Sequence, residues 1–278
     1  MSLVALKILI ISVIAGVVGS VLGLGGGTVI TPALTLLFGV DIKHAIGASI
    51  ISVIATSSGS AIAYIKDKIT NIRVGMFLEI ATTTGAITGA FLGGVINPNY
   101  LYVLFGILLL YSAFAMLKKG KDELPQNVSV HPLAKKFKLN GEYYDKALEK
   151  NVAYNVDGVP AGFSVMYGAG VISGLLGIGS GSFKVMAMDL CMKLPLKVSS
   201  ATSNFMMGVT AAASAGVYFL KGDIDPKIAA PVALGVLAGA TIGARIMQQL
   251  KSKTIRKIFI PFLAYVAIQM IYKGMGGH

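Results

Sequence analysis

Two glycine-rich stretches carry the residue types best suited to chemistry in this chain. Residues 19–34 read GSVLGLGGGTVITPAL, and residues 173–188 read SGLLGIGSGSFKVMAM. In each stretch, glycines interrupt an apolar run and precede a short segment with hydroxyl groups. Glycine permits positive-φ turns and close backbone approach, and the N–H groups that open a helix favour an anion. The pattern therefore predicts two backbone cradles for a small anion.

The candidate substrate-binding residues are the glycines and hydroxyls of these stretches, with polar residues early in the following helix. They are Gly25, Gly26, Gly27, Thr28, Thr31, Ser49, Gly179, Ser180, Gly181, Ser182, Lys184, Ser203 and Asn204. Three alternatives stay open. The hydroxyls could cap their own short helices or bond their own helix backbone, and the glycines could serve only helix packing.

Lys184 and Glu79 are charged residues inside otherwise apolar segments. An intramembrane lysine is costly and marks a functional site by default, so we expect Lys184 to contact the anion. Ion pairing with Asp189 or snorkelling towards an interface are the alternatives. Glu79 is a candidate carrier of a coupling proton because burial favours the neutral form of a carboxyl group; near the interface it could equally be solvated.

Membrane helices must position these residues. The chain has 278 residues, of which 55% are hydrophobic and 13% charged, and its mean hydropathy is +0.76. A bilayer crossing takes about 20 apolar residues. Eight segments have about that length: 3–22, 44–65, 74–96, 99–117, 161–176, 198–220, 228–250 and 255–272. We therefore expect an all-α polytopic membrane protein.

Several function classes are disfavoured by composition and by motifs. The single cysteine, Cys191, excludes an internal disulfide and a cysteine-based metal cluster. No nucleophile elbow and no GxxxxGK[ST] occur, so the sequence predicts neither an enzyme nor an ATP-driven pump, and no metal or cofactor. The net charge of +12 lies mostly in short loops, where lysine and arginine set membrane topology; we expect no nucleic-acid partner.

The two halves of the chain align without a gap at an offset of 154 residues. Matched pairs include Gly25 and Gly179, Ser49 and Ser203, Thr56 and Thr210, Tyr64 and Tyr218, and Gly89 and Gly243. This match indicates duplication, a common origin of transporters. It predicts a first transmembrane repeat over 1–117, a cytoplasmic insertion over 118–160 and a second repeat over 161–278. Each repeat is a glycine-broken helical hairpin followed by three transmembrane helices.

Charge favours inverted repeats with both termini outside. If each broken hairpin enters and returns, 18 lysines and arginines fall on the cytoplasmic face and 5 on the outer face. A parallel arrangement, with four crossings per half, gives a weaker asymmetry. Cytoplasmic loops are rich in lysine and arginine, so the inverted arrangement is predicted. Tyr64 and Tyr218 are then interpreted as interfacial anchors, and Lys197 as a flanking charge.

The segments GLLGIGSGSFKV and KVSSATSNFMMGVTAAASAGVYFL, together with GSVLGLGGGTVITPAL, resemble the sulfite exporter TauE/SafE family, also called DUF81 or TSUP. The resemblance covers both membrane halves. It implies a carrier of sulfur-containing anions such as sulfite and organosulfonates. The second motif departs from the family pattern, because Ser180 replaces a glycine and Met186 replaces a proline.

We therefore expect a secondary transporter of a small sulfur-containing anion in the plasma membrane, driven by an ion gradient and working by alternating access. An anion channel of the same architecture is the alternative, and a membrane enzyme or sensor is a third reading. The expected partners are the anion and membrane lipid. The anion's identity, the direction, the coupling ion and assembly into a homo-oligomer stay open.

Overall fold

The computed structural model describes residues 3–22, 25–93, 95–118, 128–177, 179–249 and 252–276. Its helices are α1 (Leu3–Leu22), α2 (Gly27–Pro32), α3 (Ile42–Lys66), α4 (Ile72–Gly93), α5 (Pro98–Lys118), α6 (Pro132–Lys136), α7 (Val159–Leu176), α8 (Gly181–Met186), α9 (Leu196–Leu220), α10 (Pro226–Gln249) and α11 (Ser252–Gly274). The short helices α2 and α8 each continue as a π-helical segment, Ala33–Leu37 and Ala187–Cys191. Between α6 and α7, strands β1 (Gly141–Asp145) and β2 (Lys150–Tyr154) form an antiparallel hairpin.

The long helices have the dimensions and surface of membrane helices. Within the described residues, α1, α3, α4, α7 and α10 are long and apolar enough to cross a bilayer. Helices α5, α9 and α11 have comparable lengths of 21, 25 and 23 residues. Large apolar side chains such as Ile14, Ile80 and Phe91 are exposed on the outside of the bundle, as expected of a lipid-facing surface. The prediction of an all-α polytopic membrane protein is confirmed; the small hairpin was not predicted.

The helices of the second half repeat those of the first. Helices α7 to α11 begin 154 to 156 residues after α1 to α5, and both short helices are followed by a π-helical segment of 5 residues. Helix α6 and the hairpin lie between the two sets. We call two residues equivalent when they lie 154 positions apart.

Equivalent helices run antiparallel where they meet. Near the start of α3, a Cβ on Gly47 would lie 2.2 Å from the carbonyl oxygen of Asp223, just past the end of α9. Past the end of α3, the N–H of Asn71 donates to Oγ1 of Thr202, near the start of α9, at 3.0 Å. A two-fold axis that relates antiparallel helices lies perpendicular to them, as in inverted repeats. The orientation of the repeats in the membrane stays a prediction.

Glycines let α4 pack on α7, and α10 on α1. A Cβ on Gly89 would lie 1.9 Å from the carbonyl oxygen of Val171, and one on Gly239 would lie 2.0 Å from that of Val13. Neither site has room for a side chain. Each half is therefore packed tightly against the other, because the first helix of each repeat packs on the third long helix of the other repeat.

The insertion docks on the ends of α3, α4 and α9. Nδ2 of Asn71, between α3 and α4, donates to the carbonyl oxygen of Leu139 at 2.7 Å and to the hydroxyl of Tyr154 at 2.9 Å. Lys197 on α9 forms an ion pair of 2.6 Å with Asp145 on β1, and both side chains are buried. The interpretation of Lys197 as a flanking surface charge is therefore wrong, because the unpredicted hairpin covers it.

The Asp145 carboxylate is held in its charged form. Burial raises its pKa, but the hydrogen bond and the charge of Lys197, with further hydrogen bonds from Tyr143 and Ala147, outweigh burial and leave the pKa below the ordinary value of 3.8. A carboxyl group whose pKa is lower in the folded state than in the unfolded state stabilises the fold at pH values above its ordinary pKa. This stabilisation is lost as the pH falls through the lowered pKa.

The first prediction concerns membrane topology. In a Cys191→Ala background, Asp223→Cys should react with an impermeant thiol reagent on intact cells, and Lys68→Cys only after permeabilisation. The reason is that inverted repeats place the α9–α10 and α3–α4 connections on opposite faces. Reaction of both from one side would rule out the inversion.

The second prediction concerns helix packing. Gly89→Ala should lower the thermal stability of the detergent-purified protein, because overpacking of a filled contact costs about 1–3 kcal/mol. The matched control is Gly168→Ala on α7, where a Cβ would meet no atom within 4 Å and alanine favours the helix by up to about 1 kcal/mol. Equal melting temperatures for the two variants would contradict the packing account.

The third prediction concerns the buried ion pair. Asp145→Asn or Lys197→Met alone should destabilise the protein by about 3–5 kcal/mol, because each leaves a buried group without its partner. The double variant should recover most of that loss in thermal unfolding at neutral pH. Additive losses would show that the two residues act independently.

Candidate functional site

The two broken helices meet at one point in the protein. Gly25 and Gly179 adopt left-handed backbone conformations, with φ of +76° and +69°. A Cβ on Gly25 would lie 3.1 Å from Sδ of Met207 and 3.2 Å from Cγ2 of Val53, and one on Gly179 would lie 2.7 Å from Cγ1 of Val53 and 3.2 Å from Sδ of Met207. Val53 and Met207 are equivalent residues of α3 and α9. The glycine stretches therefore converge on these two equivalent residues, and we call this place the junction.

In the first half, a threonine of α3 receives the backbone at the start of α2. The N–H of Gly26 donates to Oγ1 of Thr56 at 3.0 Å. Oγ1 of Thr28 donates weakly to the carbonyl oxygen of Gly25 at 3.3 Å, so it does not cap the helix. Oγ1 of Thr31 is buried and has no hydrogen-bond partner among the described residues. A buried hydroxyl without a partner is unusual in a folded protein.

In the second half, Ser180 combines backbone strain with an unpaired hydroxyl. It has a φ of +46°, in the left-handed region, where residues other than glycine are strained. Its hydroxyl does not cap α8, and within the described part of the chain it has no hydrogen-bond partner although it is fully buried. Its equivalent, Gly26, has an ordinary helical φ of −61°. Strain and an unsatisfied donor together mark Ser180 as a functional candidate.

Two predicted site serines bind the backbone of the glycine stretches. Ser49 donates to the carbonyl oxygen of Gly177 at 2.8 Å, across the two halves. Ser203 donates at 3.4 Å to the carbonyl oxygen of Gly181, and a Cβ on Gly27 would lie 2.4 Å from Oγ of Ser49. In this structure, these hydroxyls hold the loops in place. The side chain of Ser182 lies outside the described residues.

Asn204 holds the end of α1. Its Nδ2 donates to the carbonyl oxygens of Ser20, at 2.9 Å, and of Ser200, at 3.2 Å. These contacts fix the orientation of the amide group. Its Oδ1 is buried, and no described residue donates to it. A role in anion binding stays a prediction for Asn204, Ser49 and Ser203.

Tyr64 and Tyr218 are not interfacial anchors, and that interpretation is wrong. Both are buried. The hydroxyl of Tyr64 donates to the carbonyl oxygen of Ser20 at 3.0 Å, and that of Tyr218 to the carbonyl oxygen of Gly174 at 2.9 Å. Ser20 and Gly174 are equivalent residues in the last turns of α1 and α7. The last carbonyls of a helix lack partners within the helix, and the tyrosines supply hydrogen-bond donors there.

Lys184 and Glu79 are connected through a threonine. Nζ of Lys184 donates to Oγ1 of Thr210 at 2.5 Å, and Oγ1 of Thr210 donates to Oε1 of Glu79 at 2.7 Å. Oε1 of Glu79 also accepts from Thr83 at 2.9 Å. Lys184 is fully buried. The structure therefore does not place Lys184 at an interface, and Glu79 is engaged with protein groups.

Thr210 and Thr83 were missed as functional candidates. The alignment of the halves pairs Thr210 with Thr56, which could have signalled a role. Lys184 and Glu79 have the apolar equivalents Ile30 and Ala233. The charged groups therefore lie in the second half-site, and the first half-site consists of backbone and hydroxyl groups.

A cavity of about 710 Å³ lies between α1, α2 and α11. Its wall includes Val29, Tyr265, Tyr272 and Lys273, and Nζ of Lys273 donates to the carbonyl oxygen of Thr35. The equivalents of Val29 and Tyr265 are Phe183 and Tyr111, which stack with ring centroids 6.4 Å apart. The larger ring of Phe183 occupies space that Val29 leaves open. The two half-sites thus differ in the packing beside them.

The donors at the junction suit an anion. They are the buried hydroxyls of Thr31 and Ser180, for which no described residue is a partner, and the ammonium group of Lys184, which carries a positive charge. Among the described residues, no group of three or more histidine, cysteine, aspartate or glutamate side chains could hold a metal ion.

The fold and the site define a multi-pass membrane protein, and its similarity to known proteins identifies it as a transporter. Residues 8–270 match the family model for the sulfite exporter TauE/SafE, and the chain belongs to this family. This is a family of membrane transporters and not of enzymes.

The similarity to relatives extends over nearly the whole chain. The chain is 32% identical over 276 residues to the probable membrane transporter protein YunE of Bacillus subtilis, covering 96% of this chain and 97% of that one. It is 25% identical over 279 residues to a probable membrane transporter protein of Methanocaldococcus jannaschii, covering 95% and 94%. No solved structure matches the chain significantly.

Proposed function

We propose that the protein is a secondary transporter of a small sulfur-containing anion, such as sulfite or an organosulfonate, in the plasma membrane. An ion gradient drives it, and it works by alternating access. Its family supports the sulfur-containing substrate. The observation that carries the proposal is the convergence of both glycine stretches on Val53 and Met207. Ser180 directly precedes α8 and Lys184 lies within it, and both side chains are buried.

The proposed binding mode uses backbone and side chains together. Gly25, Gly26 and Gly27, with Gly179 and Gly181 in the second half, bring the chain close to the anion, because no Cβ separates the backbone from it at these positions. The hydroxyls of Ser180 and Thr31 donate to its oxygens, and Lys184 balances its charge. Charge-assisted hydrogen bonds of this kind are short and strong. Lys184 is therefore the expected source of selectivity for anions over neutral solutes.

The junction favours a carrier over a channel. Its candidate ligands Thr28, Thr31, Ser180 and Lys184 are buried, so an anion reaches them only after helices move. The unequal packing beside α2 and α8 is the kind of difference that alternating access exchanges between two halves. A carrier shows saturation and counterflow, and a channel shows neither.

The fourth prediction tests the junction. Gly25→Ala should weaken sulfite binding at least tenfold, or about 1.4 kcal/mol, because a Cβ there occupies the space that the backbone cradle needs. Its matched control is Gly222→Ala: Gly222 has the same φ of +76°, and a Cβ there would meet no atom within 4 Å. Calorimetry on monodisperse, detergent-purified protein compares the variants.

The control separates strain from site chemistry. Both variants place alanine in a left-handed conformation, so both carry the backbone strain of that conformation. Only Gly25→Ala should lose affinity. If both variants bind sulfite as the wild type does, the glycines are packing devices and the anion cradle is refuted.

A further inference from the structure

Lys184 and Glu79 carry opposite charges, and one hydroxyl group links them. The distances are 2.5 Å from Nζ of Lys184 to Oγ1 of Thr210 and 2.7 Å from Thr210 to Oε1 of Glu79. We propose that this bridge couples transport to protons. Glu79 takes up one proton when an anion with one negative charge, such as hydrogensulfite, reaches Lys184, which makes the protein a proton–anion symporter. The inference rests on the proposed function.

Charge balance is the reason for the coupling. With Glu79 ionised and Lys184 protonated, the bridge is neutral overall. An anion that enters adds a negative charge in a low-dielectric interior, where an uncompensated charge is strongly unfavourable. Protonation of Glu79 restores neutrality. The carboxylate and one proton form a carboxylic acid, Lys184 keeps its three protons, and no other bond forms or breaks.

The geometry provides an oxygen atom of Glu79 for the proton and N–H groups of Lys184 for the anion. Oε1 of Glu79 accepts from Thr83 and Thr210, whereas Oε2 is buried and accepts from no described residue. Oε2 is therefore the oxygen that receives the proton. An ammonium group has three N–H donors, and Thr210 is the partner that the described part of the chain supplies to Lys184. The other donors can turn to an anion.

Other charged groups on or beside α4 and α9 have partners of their own. Arg73 on α4 donates to the carbonyl oxygen of Lys138 at 3.2 Å, Lys197 on α9 pairs with Asp145, and Lys221 past α9 donates to the carbonyl oxygen of Ala90. The other titratable groups on the elements packed around the bridge include Tyr167 on α7, Tyr111 on α5, Tyr218 on α9 and the buried Asp189 after α8.

The bridge is absent from the first half-site. The equivalent of Thr210 is Thr56, which accepts the N–H of Gly26, and the equivalents of Lys184 and Glu79 are Ile30 and Ala233. Duplication alone explains the threonine but not the two charges. One charged half-site gives one proton-binding carboxyl per transporter.

The first experiment needs no substrate and tests the bridge directly. Difference infrared spectroscopy between neutral and acidic pH should show a carbonyl band of a protonated carboxyl group that disappears in Glu79→Gln. The matched control is Glu142→Gln, on the exposed strand β1, which should keep the band. In Lys184→Met the band should already be present at neutral pH, because Glu79 has lost its cation. A wild-type difference spectrum identical to that of Glu79→Gln would overturn the proposal.

The second experiment measures coupling in proteoliposomes with labelled sulfite. An imposed proton gradient should drive accumulation in the wild type, and Glu79→Gln should lower the accumulation ratio at least tenfold while exchange of sulfite for sulfite remains measurable. Thr210→Val should lose accumulation and Thr210→Ser should restore it, since serine keeps the bridging hydroxyl. Full proton-driven accumulation in Glu79→Gln or in Thr210→Val would overturn the proposal.

The two experiments distinguish a wrong substrate from a wrong coupling mechanism. If the wild type neither binds nor exchanges sulfite, the proposed substrate is wrong, and the infrared comparison still decides whether Glu79 titrates beside Lys184. If sulfite exchanges but accumulates equally with and without a proton gradient, the carrier stands and the proton bridge is wrong.

Discussion

Two breaks in the helical backbone meet at the centre of this membrane protein, and the polar groups that they expose need partners. Lipid offers none, so irregular backbone at such depth must be satisfied by protein or by a wet cavity. Much of that support crosses between halves: Ser49 of the first half binds Gly177 of the second, and Asn204 of the second binds Ser20 of the first. The halves are therefore interdependent, and the junction exists only in the whole protein.

Symmetry explains the shape of the site, and departures from symmetry explain its chemistry. Tyr64 and Tyr218 hold equivalent carbonyl groups, and Gly25 and Gly179 share a left-handed conformation. The charges break this equivalence, because Thr210 links Lys184 of the second half to Glu79 of the first, whereas their equivalents are the apolar Ile30 and Ala233. In our account the duplicated backbone supplies an anion cradle, and the unduplicated pair of Lys184 and Glu79 couples anion binding to a proton.

The sequence predicted the membrane helices well, since they depend on local hydrophobic runs, and the helices recur at the offset of the ungapped match. It also placed the breaks at the glycines. It could not predict contacts between distant segments. The hairpin 141–154 gives no apolar run, so its ion pair from Asp145 to Lys197 was missed. Tyr64 was assigned to the interface because an amphipathic ring suits that place, and only the fold reveals that the carbonyl of Ser20 lies opposite. Thr210 was visible as a repeat match, but its partners come from α4 and α8, which no spacing along the chain brings together.

The most direct test of the central claim is to locate the anion. Selenite has the charge and shape of sulfite, and its selenium scatters X-rays anomalously. A crystal structure of the protein with selenite should place an anomalous peak at the junction, against the backbone of Gly25 and Gly179 and within hydrogen-bond reach of Ser180 or Lys184. A peak confined to the cavity beside Lys273, with the junction filled by protein alone, would contradict the account.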